Sequence, residues 1–556
     1  MTLGNQHSNG TRSITADIVI VGGGFGGCSA LYWLRQAGYN VKLIEAGSDF
    51  GGVWHFNKYP GARVDSEVPL YQLSKPAETW RSFNFTERFP GHVELRDYFA
   101  QMSNALDLHR DAIFDSRVIE AKFDAASDSW TMSTDNGIIT TSKYAIFATG
   151  TTNKPYIPQF PGLDNYQGTI LHPCRWPSNL DLRGKKVGIV GQGASGLQIL
   201  QELAKEDVGA DLTVFVRNPP TALPMGQRAI SAAESEEKKN AYDVLFSHAK
   251  TKDESGYAYD LPTRSFHQDT PEQREQFYSD LWARGSYAIL TCNYPEHTYD
   301  KAANAELYQY WAKTTRARIT DPVKKDIMAP LQQFQWIGTK RPNLEMDYYE
   351  MIDRPNVKLV SLKKEAIREF TRTGIVTEVI TDNATVEGAT HSYDLDVVIM
   401  ATGYDGVTGS LYEMNIHGKD GVRLQERWSS SIQTYLGMVA PGLPNMFMLY
   451  GPQAPSGLAN GPPFLELQVD WVIRFLGKLK DEKATTFEAK SAAAKKYVQR
   501  NLDVYGQSLA KDTPSWWNGS NIPGKVREPL FWTLGLQEWR KETEQALEDW
   551  SRFDLK

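Results

Sequence analysis

ADIVIVGGGFGGCSALYWLRQAGYNVKLIEAGS, Ala16 to Ser48, changes its hydrophobic rhythm twice. The continuous apolar run up to Val21 fits a strand buried on both faces. After the glycines the apolar residues recur at helical spacing until Gly38, and a second apolar run then ends at Glu45. Strand, glycine turn, helix and strand together make a βαβ unit. Gly22 permits the tight turn, Gly24 lets backbone amides approach a pyrophosphate at the helix N-terminus, and Gly27 permits close helix–strand packing. Glu45 lies 18 positions beyond Gly27, where a carboxylate can accept hydrogen bonds from a ribose diol. A glycine triplet by itself often marks only a turn. With strand, helix and acid in place it points to the adenosine half of FAD or NAD.

A second unit follows in KKVGIVGQGASGLQILQELAKEDVGADLTVFVRNPP, with Gly191, Gly193 and Gly196 between a short strand and a helix. Ser195 lies in the same turn and is grouped with the cofactor-binding residues. Here the second strand arrives at Arg217 instead of an acid. A guanidinium there suits a bidentate contact to the 2'-phosphate that separates NADP from NAD, although a solvated surface arginine is the plainer alternative. Two dinucleotide folds in one chain call for two dinucleotides, naturally a tightly held flavin reduced by an exchangeable NADPH. YAIFATG (Tyr144–Gly150) and DVVIMATGYD (Asp396–Asp405) each read as a buried strand leaving through a glycine turn. They place the crossovers between domains near residues 150 and 396.

The remainder of the chain agrees with this α/β reading and excludes several classes. At 556 residues it needs more than one core, and 41% hydrophobic with 23% charged residues is an ordinary globular composition. A net charge of −7 argues against a nucleic-acid partner. No apolar run approaches the length of a membrane span and the N-terminal residues lack a signal-peptide pattern, so a cytoplasmic location without membrane attachment is expected. Cys28, Cys174 and Cys292 are too far apart in sequence for a CxxC metal site or a dithiol pair, and no metal is expected. GxSxG, HExxH and Walker A motifs are missing.

Between the two units lies YQGTILHPCRWP, Tyr166 to Pro177, whose apolar residues follow neither the helical nor the strand period and which is expected to be an ordered connector. It resembles the fingerprint of type I Baeyer–Villiger monooxygenases, aromatic-x-Gly-x-x-x-His-x-x-x-Trp-Pro/Asp. Tyr166, Gly168, His172, Trp176 and Pro177 fill the pattern, with Tyr166 replacing the usual Phe. Trp176 favours this branch over the related N- and S-oxygenating flavin monooxygenases, which usually carry Tyr there. GGVWHFNKYPGARVDSE (Gly51–Glu67), GTKRP (Gly338–Pro342) and SWWNGSNIPGK (Ser515–Lys525) extend the likeness along most of the chain.

The resemblance implies two Rossmann-like dinucleotide-binding domains, for FAD and NADP, with a mostly helical insertion in the latter. The expected division is 1–150 for the first part of the FAD domain and 151–220 for the first part of the NADP domain. The insertion, which contains LWARGSY, takes 221–335, the rest of the NADP domain 336–395, and the rest of the FAD domain 396–556. It also implies the reaction: NADPH reduces FAD, O2 adds at flavin C4a, and the resulting peroxide attacks a ketone through a tetrahedral (Criegee) adduct to give an ester or lactone.

Arg341 matches the family's active-site arginine, Asp65 the acid that orients it, and Lys340 the lysine that joins Arg217 at the 2'-phosphate. Gly52, Trp54 and Tyr59 are expected along the flavin, and Trp516 at the nicotinamide nucleotide. His172 is expected to couple domain movement to catalysis. Bland alternatives accompany each: a helix-capping Asp65, a solvated Lys-Arg pair, a packed-loop His172. At the level of function the alternatives are an N- or S-oxygenating monooxygenase, a disulfide reductase, for which paired cysteines are lacking, and a non-catalytic FAD/NADP-binding sensor. Leu449–Glu466 is expected to line the substrate pocket, with Pro462-Pro463 as a departure from the family. The choice between open-chain and cyclic ketones, and the oligomeric state, are left open.

Overall fold

The computed structural model describes residues 12–260, 262–381 and 384–556. The first eleven residues of the expected FAD domain therefore lie outside the described residues.

Two sheets organise the chain. The first has eight strands and is built around Arg12–Val21. On one side this strand pairs in parallel with Val41–Ile44, which in turn pairs with Ala112–Ile113. On the other it pairs in parallel with Ile138–Phe147, whose far edge carries both the antiparallel strand Ser129–Thr134 and the late strand Met446–Met448. The C-terminal part of the chain thus returns to the first sheet. Ile18 and Ile20, fully buried, pack on one sheet face with Leu31, Leu34, Phe475 and Trp539, while Val19 and Ala145 belong to a second cluster. That two-sided burial is why the run reads as continuous apolar sequence.

The second sheet is parallel throughout, in the order Val357–Ser361, Asp211–Val216, Lys186–Val190, Val397–Met400, Thr169–Leu171. Two expectations change here. The connector contains an edge strand, Thr169–Leu171, too short for a period of two to show in its sequence. Val397–Met400 pairs with Lys186–Val190, so the expected domain change at 396 falls after this strand, beyond Met400. Between Val357–Ser361 and Val397–Met400 the chain forms a separate three-stranded antiparallel sheet in the order Glu365–Phe370, Gly374–Thr381, Ala384–Asp394.

Between the two halves of this second fold runs a mostly helical block. Its helices are Ala232–Lys239, Tyr242–Thr251, Pro271–Arg284, Lys301–Arg316 and Pro322–Met328, and all but Tyr242–Thr251 start at a side-chain cap. Thr270 and Gln273 form a capping box ahead of Pro271, while Asp300 and Asp321 each accept two amide hydrogen bonds. Trp311, fully buried on the Lys301 helix, donates its indole N–H at 3.0 Å to the carbonyl of Ala222, just before the short strand Leu223–Pro224.

Candidate active site

The two glycine turns share one packing solution. Gly24 and Gly193 occupy the N-cap positions of helices Phe25–Gln36 and Ala194–Leu203. Gly22 and Gly191 have φ of +110° and +99°, and a Cβ on either would press on the carbonyl of an ATG segment, Ala148 or Ala401 respectively. A Cβ on Gly27 would collide with the Gly22 carbonyl oxygen, and one on Gly196 with that of Gly191. Each turn therefore needs its first glycine because the ATG backbone lies against it, and its third because the helix lies against the turn. Neither Gly27 nor Gly196 lines open space.

Both turns open onto a single cavity of about 1690 Å³. At its first end Glu45 is buried, and its two carboxylate oxygens accept from the backbone amides of Gly23 and Gly47, each at 2.6 Å. Burial pushes its carboxyl upward, against these amide bonds and the Arg117 charge, which pull it down. Gly52 approaches Gly24 so closely that its Cβ would sit 2.8 Å from the Gly24 Cα. This all-backbone cradle at a helix N-terminus, with an acid at its far edge, fits the adenosine diphosphate of FAD. Trp54 is buried at the cavity wall, with its indole N–H donating to the Tyr71 hydroxyl at 3.0 Å. Tyr59 bridges the two folds: its hydroxyl donates to Gln198 at 2.9 Å and accepts from Ser195 at 3.2 Å.

At the second turn Arg217 and Lys340 approach each other across the cavity rim. Burial and the Arg217 charge push the Lys340 ammonium down to about 8. Neither residue forms an ion pair among the described residues. Two facing cations without a carboxylate are an arrangement that a dianionic phosphate would relieve. Trp516 lines the cavity and packs against Gly406, while its neighbour Trp517 is buried against Phe531.

Arg341 and Asp65 meet deeper in the same cavity. Arg341 Nε donates to Asp65 Oδ2 at 2.7 Å and Nη2 to Oδ1 at 2.8 Å, a bidentate fork. Burial raises the Asp65 carboxyl, but the Arg341 charge and its hydrogen bonds bring it below the ordinary aspartate value. On the arginine the order is the same: burial disfavours the cation and Asp65 more than restores it. Asp65 caps no helix, since the next helical turn begins only at Ala77.

Two residues at this centre were not expected from the sequence. Tyr257 accepts from Arg341 Nη2 at 2.7 Å, and Tyr287 donates to Asp65 Oδ2 at 2.7 Å, with its ring 4.9 Å from the Arg341 guanidinium carbon. Both belong to the helical block, and tyrosines in YAY and GSY stretches carry no motif that separates them from core residues.

The fingerprint residues divide into one at the cavity and four behind it. Buried His172 lines the cavity; its Nδ1 accepts from the Cys174 amide at 3.4 Å and its Nε2 donates to the Gly403 carbonyl at 3.0 Å. Burial holds its pKa below the usual histidine value. The neutral ring thus ties the connector to the second ATG turn. Tyr166 donates its hydroxyl to the Leu395 carbonyl at 2.9 Å, which gives the extra oxygen of this Phe-to-Tyr departure a partner. Gly168 lies under that ring, and a Cβ there would collide with the Tyr166 hydroxyl. Trp176 is half-buried against the second core and Pro177 is exposed. Of Leu449–Glu466, Tyr450, Gly457 and Pro462 are among the residues facing the cavity. The Pro462-Pro463 pair begins the helix Gly461–Asp481, where missing amide hydrogens cost nothing.

Two dinucleotide folds facing one cavity define an oxidoreductase of the two-cofactor type. The family described as pyridine nucleotide-disulphide oxidoreductase matches residues 16–255. Cyclopentanone 1,2-monooxygenase of Comamonas sp. (strain NCIMB 9872) is 34% identical over 100% of this chain and 98% of its own length. A protein named Baeyer–Villiger monooxygenase from Pseudooceanicola batsensis is 30% identical over 98% of this chain and 97% of its own. A crystal structure of OTEMO in complex with FAD and NADP superposes with a TM-score of 0.90 at 31% identity, covering 98% of this chain and all of that one. The chain belongs to the type I Baeyer–Villiger monooxygenase family. Among the described residues no helix is long and apolar enough to cross a membrane.

Proposed function

We propose that this protein is an FAD-containing, NADPH-dependent Baeyer–Villiger monooxygenase that acts on small ketones: ketone + O2 + NADPH + H⁺ gives ester or lactone + H2O + NADP⁺. The observation that carries this reading is the Arg341–Asp65 fork inside a cavity shared by both glycine turns. When bound, FAD supplies the reductive activation of O2 with electrons from NADPH.

The chain's own part is largely electrostatic. Arg341 cannot lose its proton in the working pH range, so it holds a permanent positive charge where negative charge develops on the ketone oxygen. Asp65 spends both oxygens on that guanidinium, which makes it an orienter and leaves it unsuited to take a proton from substrate. Among the described residues Arg341 Nη1 has one long contact, 3.4 Å to the Gly457 carbonyl, so this edge is open to substrate. Gly22, Gly24, Gly52 and Glu45 would hold FAD; Gly191, Gly193 and Ser195 would hold the NADP pyrophosphate, and Arg217 with Lys340 its 2'-phosphate. His172 would fix the connector to the turn after Met400, and Trp516 would cover the nicotinamide side.

The test is a panel of open-chain and cyclic ketones, amines and sulfides with NADPH and ¹⁸O2, read by product mass spectrometry. One labelled oxygen inserted beside a carbonyl is expected. Oxidation of amines or sulfides with every ketone untouched would overturn the reading in favour of heteroatom oxygenation, and absence of NADPH oxidation in a flavin-loaded sample would favour a sensor.

A further inference from the structure

Arginine offers five N–H donors; three of those of Arg341 make short bonds in a definite pattern, and a fourth, on Nη1, makes only the 3.4 Å contact to Gly457. Nε and one Nη2 hydrogen go to Asp65, and the second Nη2 hydrogen goes to the Tyr257 hydroxyl at 2.7 Å. Because guanidinium cannot accept, the Tyr257 oxygen is the acceptor and its own proton must point elsewhere. Ser66 Oγ at 3.1 Å takes it, giving a directed chain Arg341 to Tyr257 to Ser66. Tyr287 has one proton and two acceptors in reach, Asp65 Oδ2 at 2.7 Å and the Pro342 carbonyl at 3.1 Å; the charged and nearer oxygen is the stronger acceptor.

The loop that carries Tyr257 is itself built around a buried carboxylate. Asp253 Oδ1 accepts from the amides of Ser255 and Tyr257 at 2.7 and 3.0 Å, and Oδ2 from the amide of Tyr259 at 3.1 Å. Asn460, at the start of the helix Gly461–Asp481, ties the same loop down through its amide, which donates to the Ser255 carbonyl at 2.7 Å. Both tyrosines are nearly fully buried, at 3% and 4% exposure, and neither is among the residues that line the cavity. Their hydroxyls are spent on the ion pair, so each acts on the site through Arg341 and Asp65.

We propose that Tyr257 and Tyr287 are positioning residues of the reaction: from the helical block they lock Arg341 and Asp65 so that Nη1 is the edge presented to the ketone oxygen. The inference rests on the Baeyer–Villiger reading of the same site. It assigns the block a part in the chemistry beyond shaping the second fold, because Arg341, Asp65 and the two tyrosines come from three separate stretches of chain that only the folded assembly brings together. A guanidinium freed from Tyr257 keeps its charge but can tilt, and misplacement by about 1 Å is enough to cost about 100-fold in rate.

The experiment uses the full FAD-loaded chain as Tyr257→Phe and Tyr287→Phe, each with ester yield per NADPH, H2O2 release and a crystal structure. NADPH that yields no ester reduces O2 to H2O2, so the two products partition the same electrons. Ester per NADPH is expected to fall about tenfold in Tyr257→Phe, as loss of one hydrogen bond to a charged group predicts, with H2O2 rising in compensation. Tyr287→Phe is expected to fall less, since Asp65 keeps both bonds to Arg341. In the Arg341→Lys background, where the Nη2 bond no longer exists, Tyr257→Phe should add little. A structure of Tyr257→Phe is expected to show the guanidinium displaced from its Asp65 fork. An unchanged ester share in both variants, or a full effect of Tyr257→Phe persisting in Arg341→Lys, overturns the inference. If Tyr257→Phe does not fold with FAD, Tyr287→Phe decides by the same ratio. Failure of the functional reading is separate: the unaltered chain would then give no ester, while the position of Arg341 in the variant crystals would still test the clamp.

Discussion

Arg341→Lys separates charge from geometry at the candidate active centre. The ammonium can reach one Asp65 oxygen and keep most of the ionic attraction. It loses the second fork bond at 2.8 Å, the bond to Tyr257 at 2.7 Å, and the face-on placement 4.9 Å from the Tyr287 ring centre. Hydrogen bonds to charged groups contribute about 1.5–3 kcal/mol each. The lost bonds hold the arginine in place and are present in both ground and transition states, so only about one bond's worth should appear in the barrier. That corresponds to a fall in kcat/KM for ester of about 10- to 150-fold. Arg341→Ala also removes the charge at the developing oxyanion, for which loss of one preorganised donor costs about 2.7–4 kcal/mol, or 10²- to 10³-fold in kcat. Flavin reduction by NADPH needs ring alignment and not this charge, so it should be retained more fully than ester formation. Stopped-flow reduction and reoxidation, run beside product quantification, measures both steps. Ester formation by Arg341→Lys within threefold of the unaltered chain would refute the claim that the planar fork matters, and unaltered ester yield from Arg341→Ala would refute the role of Arg341 altogether.

Lys340, held down to about 8 by burial and the Arg217 charge, makes the choice of nucleotide depend on pH. A bound 2'-phosphate favours the charged form, so NADPH binding is proton-coupled above that value: preference for NADPH over NADH should be level below about pH 8 and decline above it, by up to about tenfold per pH unit, as read from kcat/KM for both nucleotides. A preference that stays flat to pH 10, or rises, would remove Lys340 from the phosphate site. Gly168→Ala should destabilise the chain by about 1–3 kcal/mol, because the new methyl meets the Tyr166 ring and the Asp396 carbonyl with no space to relax; chemical denaturation of the FAD-loaded protein checks this, and an unchanged midpoint would mean the connector yields easily.

The parts of the molecule legible in the sequence are those where local backbone geometry dictates residue type. Gly22 and Gly27 could be read because a turn with positive φ and a helix packed onto its carbonyl exclude every side chain. Arg217 and Glu45 stand in equivalent places, each directly after the second strand of its unit, and that place is legible from the sequence pattern alone. The edge strand Thr169–Leu171 could not, since three residues carry no periodicity and its pairing with Val397–Met400 spans more than two hundred residues. The same physics hid Tyr257 and Tyr287. Their role depends on a hydroxyl meeting a partner distant in sequence, Asp65 in one case and Arg341 in the other, and a tyrosine in a core carries the same letter whether its oxygen faces a carbonyl or a guanidinium.

The two ATG segments show how repetition in the fold can be turned into an argument about connection. Ala148 and Ala401 directly follow strands that lie beside the first strand of each unit, and in both units their carbonyls leave no room for a Cβ on the first glycine of the turn. The chain can leave each sheet only past the point where a dinucleotide's pyrophosphate would approach, so the passage between folds and the cofactor turns are mechanically adjacent. His172 adds a second fastening at one of these passages, through Nε2 to the Gly403 carbonyl, and its ring packs edge-on against Tyr404 at 5.2 Å. Tyr404 in turn donates to Asn57 of the first fold at 2.9 Å. A line of contacts therefore runs from the connector through the second ATG turn to the segment that also carries Tyr59 and Asp65. A rotation of the second fold against the first would load this line, and Arg341, which reaches from the second fold to Asp65 in the first, is among the groups it would shift, together with the Tyr59 contacts to Gln198 and Ser195.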